Sequence, residues 1–390
     1  MPEAVILSAV RTAIGTARKG TLADTTTEQL SAVVIAASLE RAGLDPNLLD
    51  DVVLAESMYG GGAVGRYALV ELGLAHVPGV AVNRHCAGSL TAVGIAAGTI
   101  RSGMDRAVMA GGVQSASLTP LLQRRVPGGA EELEWWFPAT HPDSVEAPNR
   151  DMSITVGWNT AKEAGLTRED MDAWAVRSHE RAIAAIDAGL FADEIVPVKA
   201  LQKDGSYVDY SVDEHPRRDT TVEKLASLKV LHPEIEGFSI TAGNASGIND
   251  AAAALTVVSD DLARAEGLEP IATVRAWASS AVDPQRTGMA ALDAITKVLR
   301  RADRAVSEIA VWEINEAFAS VPLAACKLLG IDDEKVNLHG SGCSLGHPIA
   351  ASGARMLTTL VNDLRRRGGG LGIAAMCAGG GMSGAVVVEV

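Results

Sequence analysis

The chain repeats itself once, and that duplication narrows the folds open to it. Leu39-Glu40-Arg41-Ala42-Gly43, then Leu49-Asp50-Asp51-Val52-Val53-Leu54-Ala55-Glu56, is echoed by Leu299-Arg300-Arg301-Ala302-Asp303, then Val306-Ser307-Glu308-Ile309-Ala310-Val311-Trp312-Glu313, about 260 residues on. Val82-Asn83-Arg84-His85 returns as Val336-Asn337-Leu338-His339 at an offset of 254. Ala107-Val108-Met109-Ala110-Gly111-Gly112 resembles Ala374-Ala375-Met376-Cys377-Ala378-Gly379-Gly380. Two copies of one α/β unit are the simplest explanation.

Within each copy, apolar residues at helical spacing alternate with strand-like apolar runs, which predicts sheets covered by helices. The first copy is expected to run as strand 4–8, helix 27–42, strand 51–55, helix 65–74, strand 79–83, helix 89–102 and strand 106–111. Between the copies, from about 120 to 240, the composition shifts to Trp135, Trp136, Trp158, clustered prolines and charges. This stretch predicts an inserted loop domain with one long helix over 168–188, N-capped by Thr167 with Asp170 at the third helical position. The run Thr241-Ala242-Gly243-Asn244-Ala245-Ser246-Gly247-Ile248-Asn249-Asp250 is expected to lead into an apolar helix and strand that complete the first copy.

The 390 residues, 47% of them hydrophobic, suffice for layered cores. A formal charge of −14 without any run of Lys or Arg argues against nucleic acid or an anionic membrane as partner. The N-terminal Met1–Leu7 lacks a basic region, and no apolar run approaches the roughly 18 residues of a membrane span, so neither a signal peptide nor an anchor is expected. Cys86, Cys326, Cys343 and Cys377 show no C-x-x-C spacing, which fits neither a disulfide framework nor a zinc site and points to a reduced, cytoplasmic setting without a metal.

Chemistry concentrates at four separated turns. Cys86 lies between the strand-like Val80-Ala81-Val82 and the small-residue helical run from Thr91 to Gly98, where helix N–H groups are expected to lower its pKa. Far downstream come Asn315-Glu316-Ala317-Phe318 after a strand, Gly346-His347-Pro348 in a Gly/Ser-rich loop, and Cys377-Ala378-Gly379-Gly380-Gly381 near the C-terminus. Taken singly, each has a bland reading: a buried Cys as core filler, a structural His, an Asn bonding its own loop. Cys326 reads as helix core, Cys343 as a candidate site-lining thiol, and His85 and His339, at matching places in the copies, as structural.

Together with Thr241–Gly247, these motifs resemble the thiolase family, in order and over essentially the whole chain. The resemblance implies two βαβαβαββ halves in a five-layer α/β/α/β/α body: 1–118 with 242–270 as the first half, 119–241 as a loop domain that binds CoA and substrate, and 271–390 as the second half. It implies a homodimer or homotetramer without a permanently bound cofactor. The activity implied is reversible thiolytic cleavage of a 3-ketoacyl-CoA by CoA to acyl-CoA and acetyl-CoA. Cys86 would carry the acyl group, His347 activate it, and Cys377 serve as second acid and base. Oxyanion holes would come from His347 with a water held by Asn315, and from the N–H groups of Cys86 and Gly379. Ser246, Ala242, Ala317, Phe318 and Met152 match channel positions, and Arg217 is a candidate for the nucleotide end of CoA.

Departures from the family pattern are Gly88-Ser89 in place of Ser-Gly, Ser341, Ala350, and Asp151 before Met152, where short-chain biosynthetic members carry His. These departures bear on substrate identity rather than reaction type; Asp151, with Trp135-Trp136-Phe137 as a candidate pocket wall or loop-domain core, favours a degradative enzyme acting on chains longer than acetoacetyl, and the swapped Gly88-Ser89 keeps an inactive relative open. The alternatives are a short-chain biosynthetic acetyl-CoA acetyltransferase and an inactive relative that binds CoA esters. A decarboxylating ketosynthase would pair its Cys with two His or with His and Asn, and Cys377 argues against it. A nicotinamide-dependent oxidoreductase is suggested by Gly60-Gly61-Gly62-Ala63-Val64-Gly65, but no acidic residue ends the following strand to hold a ribose.

Overall fold

The computed structural model describes residues 1–58 and 63–390, so Gly60, Gly61 and Gly62 of the glycine stretch lie outside the described residues. Its body is a duplicated unit. In the first copy, β1 (Ala4–Thr12), β2 (Asp51–Glu56), β3 (Gly79–Val82), β4 (Ala107–Gln114) and β5 (Asn249–Ser259) take the order β1-β5-β4-β2-β3. The β1/β5 and β5/β4 pairs are antiparallel, and β4/β2 and β2/β3 are parallel. The second copy, β6 (Ala272–Ala281), β7 (Ile309–Ile314), β8 (Leu371–Ala378) and β9 (Met382–Glu389), repeats that order and sense as β6-β9-β8-β7. The counterpart of β3 has shrunk to one parallel bridge between Trp312 and Val336, at the echo of Val82. The two sheets join where β1 meets β6 at Val5↔Thr273 and Ile6↔Ala272.

Helices complete five layers. In the first copy α1 (Thr27–Ala42), α2 (Val64–Glu71) and α3 (Gly88–Ser102) precede α4 (Arg168–Asp187) of the inserted region, and α5 (Ala290–Ala302), α6 (Ser320–Leu329) and α7 (Ser352–Arg366) belong to the second. Leu30, Val34 and Ile35 of α1 pack on Val52 and Leu54. Val53, from the opposite face of the same strand, packs in a middle layer with Leu90 and Val93 of α3 and Met356 and Leu360 of α7, against Ala374 and Met376 of the second sheet. Ile373 and Ala375, alternating with those, face Ile295 and Val298 of α5. Strands covered on both faces read as continuous apolar runs, which is why these segments lack a polar alternation.

The prediction of a helix after Asp250 was wrong in order. Residues Asn249–Ser259 form β5, and only Asp260–Ala265 is helical. Ala251–Ala254 favour helix intrinsically, but all eleven residues of β5 are buried between β1 and β4, and that pairing overrides propensity. In the inserted region α4 opens as expected, with Thr167 accepting from the Asp170 N–H and Asp170 reaching back to the cap. The tryptophans do not form that region's core: Trp135 and Trp136 sit on a hairpin, Leu122–Arg125 with Leu133–Trp136, and are 65% and 38% exposed. Among the described residues, no helix is long and apolar enough to cross a membrane.

Candidate active site

Cys86 lies in a tight single turn, His85–Ala87, that feeds straight into α3 and packs against β8, β9 and the start of α7. The Gly88-Ser89 order has a physical reason here. A Cβ on Gly88 would come within 2.9 Å of the Ala55 Cβ on β2, while the buried Ser89 Oγ accepts the Ala354 N–H at 2.9 Å and ties α3 to the first turn of α7. Burial pushes the Cys86 thiol up to about 11, although the Gly379 N–H donates toward its sulfur. Backbone N–H groups pull the thiol down as expected, but desolvation pushes it up by more.

Cys377, near the end of β8, is buried, and its thiol is raised by burial first and then by the neighbouring Cys86, so the two thiols lie close enough to feel one another. The chain leaves this strand through Gly379, Gly380 and Gly381, the last two at φ +81° and +74°, a backbone region that strongly favours glycine. The His85 ring lies beside Gly379 and its Nδ1 is 3.3 Å from Ser57 Oγ. His339 instead pairs with Asp363 at 2.8 Å, so the two matching histidines have different surroundings.

His347 is held by its N–H donating to Asn249 Oδ1 at 3.0 Å, and its Nδ1 lies 2.7 Å from Ser352 Oγ. With the Ser352 hydroxyl hydrogen on the Pro348 carbonyl at 2.9 Å, the neutral ring is assigned as the tautomer in which Nδ1 carries the hydrogen and donates to Ser352. That leaves Nε2 with a free lone pair, and among the described residues no group partners it. Burial, helped by the charge of Arg355, lowers His347 to about 4, so it is a neutral base at physiological pH. Asn315 follows β7, donates its N–H to the Ala375 carbonyl at 3.0 Å, and sets Nδ2 3.4 Å from His347 Nδ1, with Oδ1 unpartnered among the described residues.

Glu316 had no role in the sequence reading, yet its buried carboxylate accepts from Trp174 Nε1 and Ser178 Oγ on α4, from Asn337 Nδ2, and from the Cys343 N–H, at 2.6 to 3.1 Å. Its signal was a Glu inside an apolar run, which must be paired if buried. Cys343 is 2% exposed, with its sulfur near the carbonyls of Asn244 and Glu316. Cys326 on α6 is half-buried rather than core.

The 241–250 loop is stitched to the Asn315 segment by Ser246 N–H to the Ala317 carbonyl at 2.9 Å, Ala319 N–H to the Asn244 carbonyl at 2.9 Å and a bridge between Ala245 and Phe318. Ser246, Ala317 and Phe318 therefore form one wall, and Met152 packs against the same apolar cluster. Ala242 and Arg217 lie exposed, Arg217 two residues from His215, whose ring abuts Gly247. A neutral imidazole with a free nitrogen, two thiols and a directed N–H form an arrangement suited to acyl transfer through a thioester.

Comparison with known proteins fits that chemistry. The family profile "Thiolase, N-terminal domain" matches residues 4–261, and "Thiolase, C-terminal domain" matches residues 268–390. The chain belongs to the thiolase family. Similar thiolases include an acetyl-CoA acetyltransferase of Escherichia coli (strain K12), 40% identical over 396 residues covering 100% of this chain and 99% of that protein. A beta-ketoadipyl-CoA thiolase of Pseudomonas aeruginosa is 40% identical over 404 residues, covering 99% of each. The crystal structure of the Bacillus anthracis acetyl-CoA acetyltransferase superposes with a TM-score of 0.90 at 35% identity, covering 100% of this chain and 99% of that one. This thiolase is thus an acyltransferase with the family's five-layer fold, and the oxidoreductase reading of the glycine stretch falls.

The raised thiol sets a pH dependence for the free enzyme. Alkylation of Cys86 by iodoacetamide should climb about tenfold per unit between about pH 7 and 10, as a thiol titrating near 11 requires. A rate already on its plateau at about pH 8 would reveal a preformed thiolate instead.

Proposed function

We propose that Cys86, His347 and Cys377 carry the thiolase reaction in separate roles, and the observation that supports this best is His347: a buried, neutral imidazole, assigned as the Nδ1–H tautomer, whose Nε2 has no partner among the described residues. His347 Nε2 takes the Cys86 proton as the sulfur attacks C3 of a 3-ketoacyl-CoA. The C2–C3 bond then breaks with its electron pair moving to C2, and Cys377 protonates the resulting acetyl-CoA enolate. Incoming CoA gives its thiol proton to the Cys377 thiolate and attacks the Cys86 thioester. Cys86 leaves as its sulfur regains the proton from His347.

Two developing oxyanions need donors, each worth about 3 kcal/mol in comparable acyl-transfer sites. The N–H groups of Gly379 and Cys86 would serve the thioester, and protonated His347 with a water held by Asn315 the other. Met152, Phe318, Ala317, Ser246 and Ala242 would line the pantetheine channel, with Arg217 reaching for the phosphates. CoA and its esters are the substrates in this reading, with no resident cofactor. The swapped Gly88-Ser89 is accommodated without loss of a site residue, which favours an active enzyme over an inactive relative.

The enzyme would act in the cytoplasm as a homodimer or homotetramer. Supporting assembly, the edge strand β3 exposes Val80 at 44%, and the projecting hairpin exposes Leu133 and Trp135 at 60% and 65%, apolar surface of the kind that a second copy covers. Static light scattering of a monomeric mass would contradict this.

A degradative role on acyl chains longer than acetoacetyl is favoured by Asp151 before Met152. The acetyl-CoA acetyltransferases among its relatives support the short-chain biosynthetic alternative. In thiolysis assays kcat/KM for a medium-chain 3-ketoacyl-CoA should exceed that for acetoacetyl-CoA, and the reverse order refutes the degradative reading.

A further inference from the structure

Asp151 departs from the short-chain pattern, and its environment is built from a distant segment. Asp151 Oδ2 lies 2.7 Å from His232 Nε2, and His232 Nδ1 lies 2.7 Å from Glu234 Oε1. A ring whose two nitrogens both face carboxylates donates from both, so His232 is an imidazolium in this arrangement. The second Asp151 oxygen accepts the Ser153 N–H at 3.0 Å and its hydroxyl at 2.5 Å, capping the widened helical turn Ser153–Trp158 that begins beside Met152.

The other end of that turn is wedged in place. The His232 ring meets Phe238 edge-on at 5.0 Å, and Phe238 packs on Trp158 at 5.4 Å. A Cβ on Gly157 would fall 2.8 Å from the Phe318 ring and 3.0 Å from Ile240, so the turn lies directly on Phe318. The ion pair is the polar fastening on the side where Met152 sits. With side chains 22% and 34% exposed, it is accessible enough to titrate and covered enough to be felt.

We propose that the Asp151–His232 ion pair is a clasp that holds Met152 and its turn against Phe318, and so sets how tightly the enzyme binds the pantetheine arm of its CoA thioester. This rests on the reading that Met152 and Phe318 line that channel. Asp151 and His232 are positioning residues and touch no reacting atom. The charged groups facing the imidazole are Asp151 and Glu234, and Lys162 lies beyond it over the Trp158 ring at 5.4 Å.

The sign of the pH effect follows. Hydrogen bonds to Glu234 and Asp151 raise His232 above its ordinary value, and Asp151 is held low by Ser153 and His232. The clasp is closed while His232 is protonated and Asp151 ionised, and it opens as pH rises through the His232 value. KM for the thioester should therefore rise on the alkaline side while kcat does not follow.

Steady-state KM and kcat of the full-length enzyme for a 3-ketoacyl-CoA, measured across pH, test this with Asp151→Asn, His232→Gln and Met152→Ala. Asparagine keeps an oxygen for the Ser153 N–H, so the turn stays capped while the charge is lost. Asp151→Asn and His232→Gln should each raise KM about threefold with kcat little changed. In Asp151→Asn the alkaline rise in KM should also be lost, because no ion pair remains for deprotonation of His232 to open. If Met152→Ala raises KM while Asp151→Asn leaves both KM and its pH profile at wild-type values, the clasp is overturned and the channel reading stands. If Met152→Ala itself leaves KM unchanged, the channel reading fails and the clasp falls with it.

Discussion

The packing of α3 against α7 between the two sheets is the constraint from which the site follows. Each helix belongs to one copy of the duplicated unit, and their N-termini meet: Ser89 Oγ takes the Ala354 N–H, and a Cβ on Gly353 would stand 2.6 Å from the Leu90 Cγ. Approach this close leaves room only for small residues, as in tightly packed interiors generally. Cys86 sits one turn before α3, and Ser352, which orients His347, is the first residue of α7. Neither copy holds both groups, so their placement depends on how the duplicated halves pack.

Burial then decides the electrostatics. Cys86 is pushed up to about 11 and His347 down to about 4, so the thiol and the imidazole are both neutral at rest. Arg355, the charged neighbour that helps keep His347 neutral, is itself buried and donates to Glu313 at 3.0 Å and to Ser341 Oγ at 2.8 Å. Glu313 is raised to about 8 by the same desolvation. A site arranged in this way withholds its nucleophile until a substrate carbonyl arrives to accept the electron pair, which suits an enzyme whose intermediate is a thioester open to hydrolysis.

Much of this was legible in the residues. The repeated segments gave the duplicated order of strands, and α1 runs from Thr27 to Ala42 as its pattern predicts. The histidine turn meets the asparagine turn, and the two cysteine turns meet one another, because each ends a strand or opens a helix of the middle layers. What sequence could not show was set by tertiary burial. An alanine-rich run became β5 because strands flank it on both sides. The Cys86 thiol rose where a helix start alone would lower it. Glu316 became the hub that joins α4 to the loop at Cys343. Trp135 and Trp136 turned outward on a hairpin. Local pattern reports a residue's own preferences, and these cases depend on what the rest of the chain brings alongside.

The division of labour between the two sulfurs is the central claim, and one measurement reaches it directly. Cys377→Ala enzyme is mixed with acetyl-CoA, the acylated peptide is mapped by mass spectrometry, and exchange of the acetyl-CoA methyl protons with deuterated solvent is followed in the same sample. The account predicts an acetyl group on Cys86 together with loss of methyl-proton exchange. Acetyl on another cysteine, or exchange at the wild-type rate, would contradict it.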